Sequence, residues 1–242
     1  MAEGQSFEKQ HEITKPETGP EIDIESVLER GEIENPEALK GFFPFNAVRI
    51  KDDGSALFRP GDLSEVISLG SELELLAFSV DKILNFNLIP PVVGRELEGV
   101  KGTLQHRVED SPTASRFVGW RDLISKYELL RAAVFDYIMN AKDRHDSNFL
   151  VNPGSGKIWL IDHDYFMLVG DGKATWTYLL EEAITIELTK LTEQIKASLY
   201  TFIAAVDSFV VNAHHPVVVE ILEEARRRAE MLLETGEIPR KI

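Results

Sequence analysis

Asp143, Asn148 and Asp162 are the residues whose types and spacing best suit chemistry in this sequence. The first two stand in Lys142-Asp143-Arg144-His145-Asp146-Ser147-Asn148, and the third follows Leu160-Ile161. Two carboxylates and an amide offer only hard oxygen donors, which suit magnesium or manganese. Phosphoryl transfer uses such a set: one carboxylate orients the attacking hydroxyl, while an amide and a second carboxylate hold metal against the phosphates. A D-x-x-x-x-N run followed by a strand-end aspartate has the spacing that this chemistry needs.

Those three side chains must be delivered by particular elements. Tyr127 to Met139 is strongly apolar and reads as a buried helix that hands the chain to Asn140-Ala141-Lys142-Asp143. Phe149-Leu150-Val151 and Ile158-Trp159-Leu160-Ile161 flank Asn152-Pro153-Gly154-Ser155-Gly156, which predicts a hairpin. Pairing of its two strands would fold Asp162 back beside Asn148. Upstream, Val48-Arg49-Ile50 and Ala56-Leu57-Phe58 around Asp52-Asp53-Gly54-Ser55 predict another hairpin, which Arg59-Pro60-Gly61-Asp62 ends. Apolar residues at 73, 76, 77, 80, 83 and 84 predict a helix over 71–84, with Ser71 as N-cap and Glu74 three residues later. Leu88 to Val93 and Gly102 to Val108 read as strands. Ile24 to Leu28 begins a short helix ending near Gly31, and helical periods dominate over 186–211 and 217–235. A β-rich half followed by a helical half predicts an α+β, two-lobed arrangement.

The segment from Lys142 to Asn148, with Leu160-Ile161-Asp162, resembles the catalytic and metal-binding loops of the phosphatidylinositol 3-/4-kinase superfamily, which includes an actin-modifying kinase and small bacterial members. Leu57-Phe58-Arg59-Pro60-Gly61-Asp62-Leu63 resembles the strand carrying that family's nucleotide-binding lysine. Glu74, in Glu72-Leu73-Glu74-Leu75-Leu76-Ala77, aligns with the helix glutamate that pairs with it. Gly102 to Val108 resembles the strand entering the hinge, which places Glu109 where backbone would hold adenine. The resemblance covers about residues 47–170.

It implies a protein-kinase-like fold, with a small N-lobe over 25–110 and a helical C-lobe over 111–242, while the polar, acidic, proline-bearing stretch over 1–24 reads from its composition as a disordered tail. Asp143 would position the acceptor hydroxyl or take its proton. His145 would stabilise charge on the transferred group, and Asn148 and Asp162 would bind Mg2+ or Mn2+. Arg59 would contact the phosphates of ATP, with Glu74 holding it. The implied acceptor is a protein or small molecule.

This sequence departs from the family pattern in three ways. Arg59 stands where lysine is usual, and its planar guanidinium is not an equivalent cation. Asp162 is followed by His163-Asp164 in place of a small or aromatic residue and glycine, and no G-x-G-x-x-G loop is present. Arg59 and Asp164 leave open a nucleotide-sensing module with little or no transfer. Asp143, His145, Asp162, His163 and Asp164 together also suggest a metal-dependent phosphohydrolase. By itself Asp143-Arg144-His145 fits a polar helix terminus with a local ion pair. His214-His215 reads as a helix-terminus feature, and Trp120, Trp159 and Trp176 as packing residues. Arg226-Arg227-Arg228 reads as an exposed run paired with Glu223, Glu224 and Glu230.

Composition narrows the partners. The 242-residue chain has no cysteine, which excludes disulfides, thiolate zinc sites and a cysteine nucleophile. Its net charge is −15, and residues 1–40 carry 11 acidic and 4 basic side chains. Such a surface repels nucleic-acid phosphates and anionic lipid, so neither is expected as main partner. The N-terminus lacks the features of a signal peptide, and the longest apolar run, Phe202 to Val211, is broken by Asp207 and Ser208. No membrane span and a cytoplasmic location are the expectations.

Overall fold

The computed structural model describes residues 23–34, 46–51, 54–61, 65–163, 177–212 and 215–240. Most of the acidic tail, Asp52-Asp53, Asp62, Asp164, Lys173, Trp176 and His214 lie outside these residues.

A short helix, α1 (Ile24–Arg30), is capped at its start by Asp23, whose carboxylate accepts from the Ser26 N–H. Strands β1 (Asn46–Ile50) and β2 (Gly54–Pro60) form the expected hairpin, with Val48 opposite Ala56. Strands β3 (Val92–Leu97) and β4 (Val100–His106) form a second antiparallel hairpin. It is closed by Glu98 and Gly99, both at positive φ, as the right-handed twist of paired strands demands of a two-residue turn. The sheet order is β1-β2-β4-β3.

The pleat divides this sheet into two faces. Ala56, Phe58, Val93 and Leu104 pack with Leu28 of α1 into one small core. The opposite face carries Leu57 and Arg59 beside their register partners Gln105 and Thr103. Gly102 is obligatory between β2 and β4: a Cβ there would stand 2.1 Å from the Arg59 carbonyl oxygen.

Helix α2 (Glu65–Leu84) runs between the sheet and the helical part of the chain, touching β2, β3 and β4 on one side and α6 (Glu193–Asn212) on the other. It starts before the predicted position, so Ser71 is a buried residue within it and not a cap. The predicted strand from Leu88 is also displaced. Leu88 and Ile89 are buried, but their N–H groups donate to the Asp81 carboxylate at 2.9 and 3.1 Å, and the Leu88 carbonyl accepts from Leu160. The segment therefore bridges α2 to a second sheet, and pairing with β4 begins only at Val92. Burial pushes the Asp81 carboxyl up to about 6, against the pull of the Ile89 and Leu88 N–H groups, Lys157 and Arg131.

The helical part surrounds α4 (Lys126–Met139), which Ser125 caps and which is buried on nearly every side. A brief helix, α3 (Trp120–Leu123), precedes it. Strands β5 (Phe149–Val151) and β6 (Ile158–Leu160) form the predicted two-stranded hairpin. In its turn, Gly156 at φ +70° lies so close to Leu123 that a Cβ would stand 2.2 Å from that carbonyl oxygen. Helices α5 (Tyr178–Thr185), α6 and α7 (Pro216–Thr235) complete the core.

Helix α6 begins later than its apolar period suggests, because Thr189 and Leu191 bond instead to the chain that follows α7. Its residues Glu193–Val211 are long and apolar enough to cross a membrane by length and composition alone. In this fold Ile195, Leu199, Phe202 and Val206 turn inward at helical spacing, whereas Tyr200 and Val211 are exposed. His215 caps α7 through Nδ1, Trp120 is buried, and Arg228 donates to the Tyr137 carbonyl while pairing with Glu224.

Candidate functional site

Helix α4 ends at Asn140, whose left-handed backbone (φ 52°) turns the chain out of the core. The following loop is tightly wound: the His145 N–H donates to the Asp143 carbonyl and the Asn148 N–H to the His145 carbonyl, both at 2.9 Å. Asn148 then enters β5. Register pairs Phe149 with Leu160, so Ile161 falls opposite Asn148 and donates to its carbonyl at 3.2 Å. The hairpin thus delivers Asp162 next to Asn148, as the spacing predicts.

One residue bolts this arrangement together. The Arg144 guanidinium is 2% exposed; Nε donates to Asp136 Oδ1 at 3.1 Å, and Nη1 donates to the carbonyls of Asn148 and, at 2.6 Å, Ile161. A single cation therefore joins α4, the loop and the hairpin. Burial pushes the Asp136 carboxyl up, and Arg144 acts against that shift. Arg144 is the functionally placed residue that sequence reasoning missed. Its partner is not a neighbour in the motif but an aspartate one to two turns back in a helix that reads as apolar.

The donors of Asp143, Asn148 and Asp162 are hard oxygens. Asn148 Nδ2 donates to the Asp143 carbonyl at 2.8 Å, which leaves Oδ1 as the metal-competent atom of that amide. The side chains of Asp162 and Asp143 are 44% and 55% exposed, open for a ligand. His145 Nδ1 accepts from the Ser147 N–H, so the neutral ring carries its proton on Nε2, 3.9 Å from Asp143 Oδ1. Among the described residues, no three His, Cys, Asp or Glu side chains gather as a metal site. The oxygen set depends on the amide, and it fits Mg2+ or Mn2+ by the chemistry of its donors.

Arg59 and Glu74 face this cluster from β2 and α2. Arg59 Nη2 lies 3.3 Å from Glu74 Oε1 and 3.4 Å from Asp162 Oδ1, with the Arg59 and Glu74 side chains both buried. Glu74 also accepts from the His163 N–H at 2.8 Å and faces His163 Nδ1 at 2.9 Å. Burial alone would raise the Glu74 carboxyl, but His163 and Arg59 outweigh it and hold the group at about 2. His163 therefore points into the interior toward α2, away from His145 and Asp143, which weakens the five-ligand phosphohydrolase arrangement.

A cavity of about 300 Å3 adjoins the cluster. Leu57 and Gln105 line it from the sheet, Leu150 and Ile161 from the β5–β6 hairpin, and His106 to Val108 at one end. Glu109 lies just beyond that segment, exposed, in a neighbouring cavity of about 720 Å3 that includes Asp110 and Pro153. The structure thus brings together Arg59, Glu74, Asp143, His145, Asn148 and Asp162, and sets Glu109 apart from them.

Comparison with known families gives a match. A family model described as phosphatidylinositol 3- and 4-kinase matches residues 98–233, more than half of the chain, including the loop and hairpin but not Arg59 or Glu74. No curated protein matches the chain.

Proposed function

Because the chain belongs to the phosphatidylinositol 3- and 4-kinase family, we propose that it moves the γ-phosphoryl group of ATP to a hydroxyl of a protein or small molecule. The observation that carries this reading is the hairpin that places Asp162 beside Asn148, next to the loop bearing Asp143. On this reading the sheet with α2, within residues 25–110, is the small lobe of a kinase-like fold, and residues 111–242 are the large one. The base enters the cavity between Leu57 and Ile161, stacked between apolar side chains, with the backbone after Gln105 at its edge.

Asn148 Oδ1 and the Asp162 carboxylate hold Mg2+ or Mn2+, which when bound neutralises charge on the phosphate oxygens. Arg59 lies beside Asp162, and its guanidinium contacts the phosphates there. Asp143 orients the acceptor hydroxyl and takes its proton as the acceptor oxygen bonds to the γ-phosphorus. The bond from that phosphorus to the β–γ bridging oxygen breaks, and ADP leaves. His145 Nε2–H, on the same loop, donates toward the transferred group.

A phosphoinositide acceptor is disfavoured despite the family's description. A polyanionic headgroup needs cations, and after Asp162 the sequence offers only Lys173 before Lys190, on a chain of net charge −15. A cytoplasmic site of action agrees with that acceptor choice. Arg59 in the place of the usual lysine supports a second reading, a nucleotide-binding module with little transfer.

Thermal unfolding with and without Mg2+ and ATP tests the assignment. The wild type shifts further upward with both than with ATP alone, and Asp162→Ala removes that metal-dependent part. An unchanged shift in that variant would overturn the metal assignment.

A further inference from the structure

We infer that His163 is a positioning residue that ties the Asp162 backbone to α2 independently of Arg59. The inference rests on the kinase reading of Asp162 and adds a second constraint on that residue.

Asp162 has φ +60°, in the left-handed region that most side chains avoid and that aspartate adopts as a single residue. The next residue anchors it. His163 makes a two-point contact with one carboxylate, its N–H to Glu74 Oε1 at 2.8 Å and its Nδ1 to Oε2 at 2.9 Å. Two bonds to two oxygens fix both the position and the rotation of the peptide leaving Asp162. The ring is fully buried and meets Phe135 of α4 edge-on, with centroids 6.3 Å apart, so it cannot swing away without opening the core.

Glu74 also lies 3.3 Å from the Arg59 guanidinium, and as a carboxylate it can only accept. Nδ1 must therefore donate, which assigns the ring proton bonded to Glu74.

The distances rank the partners of Glu74. Both contacts to His163 are shorter than the 3.3 Å approach of Arg59. The link between α2 and the metal-binding loop is thus made chiefly by His163, and Arg59 shares Oε1 as a secondary partner. Two departures from the family pattern then have one explanation. A histidine after Asp162 takes over the anchoring of the helix carboxylate, and the cation on β2 need not be a lysine shaped for that task.

The test compares His163→Phe, which keeps a ring against Phe135 but loses the Nδ1 bond, with His163→Asn, whose Nδ2 can replace that donor. Mn2+ affinity with a non-hydrolysable ATP analogue is read by electron paramagnetic resonance, and metal-free analogue binding by calorimetry. His163→Phe should weaken Mn2+ binding at least tenfold and metal-free binding less than threefold. His163→Asn should recover Mn2+ affinity to within about threefold. Equal Mn2+ affinity in wild type and His163→Phe would overturn the inference, as would an asparagine variant no better than phenylalanine. Should His163→Phe fail to fold, nitrogen-15 spectroscopy of the wild-type ring decides: a proton on Nδ1 supports the clamp, and a neutral ring protonated only on Nε2 overturns it. A wild type that binds no Mn2+ with nucleotide defeats the kinase reading instead, while the ring spectrum still judges the clamp.

Discussion

Replacing Arg144 with methionine probes the bolt on which the site geometry depends. Methionine keeps an unbranched apolar stem but brings no donor. The loss has two parts. Asp136, fully buried, keeps no cation, and stranding one partner of a buried pair costs about 3–5 kcal/mol. The carbonyls of Asn148 and Ile161 lose a charged donor, at about 1–2 kcal/mol each. The sum, roughly 5–9 kcal/mol, is comparable to the whole stability of a typical domain, about 5–15 kcal/mol. Asp136→Asn is milder, because Arg144 keeps both carbonyls and the amide oxygen still accepts. On the Asp136→Asn background Arg144→Met strands no charge, so its cost should fall by about 2 kcal/mol or more. Urea unfolding of the four proteins, followed by the fluorescence of buried Trp120, measures that coupling. A coupling within about 0.5 kcal/mol, or a cost below about 1 kcal/mol for Arg144→Met alone, would refute the argument.

Three other perturbations follow from the same geometry. Asp81 has a folded-state pKa of about 6 against an ordinary 3.8, so the native state holds the extra proton between those values and stability falls as pH rises through that window; relative to Asp81→Asn, the wild type should lose roughly 2–2.5 kcal/mol from pH 4 to pH 7, and a pH-independent difference in urea melts would contradict this. Gly102→Ala drives a Cβ into the Arg59 carbonyl oxygen and should cost more than about 2 kcal/mol, with a tolerated alanine ruling out the close β2–β4 approach. Arg59→Lys loses the guanidinium whose Nη2 lies against both Glu74 and Asp162 while leaving His163 on Glu74, so nucleotide turnover should fall several-fold with little change in melting temperature; faster turnover would mean that arginine impairs the site.

The elements closest to the chemistry were the most legible. Asn152-Pro153-Gly154-Ser155-Gly156 is unambiguous turn chemistry, and it forced the pairing that brings Asp162 to Asn148. The Asp-Gly pair at 53–54 and the apolar run of α4 were equally plain. Misread segments were those where burial comes from something other than a regular element. Leu88 to Pro91 is apolar because it crosses the interior as a bridge held by Asp81, not because it pairs in the sheet. Ser71 resembles a cap, but the helix begins earlier and buries it. Within the site, residues that offer ligand oxygens announced themselves by type and spacing. Arg144 and His163 did not, since their roles lie in partners at Asp136 and Glu74 that only tertiary structure brings near.

Diffraction from crystals soaked in Mn2+ and a non-hydrolysable ATP analogue, collected at the manganese edge, would locate the cation without any acceptor being known. A manganese peak touching Asn148 Oδ1 and the Asp162 carboxylate, with the base between Leu57 and Ile161, is the predicted result. Manganese elsewhere on the chain, or nucleotide bound outside that cavity, would contradict the phosphotransferase account.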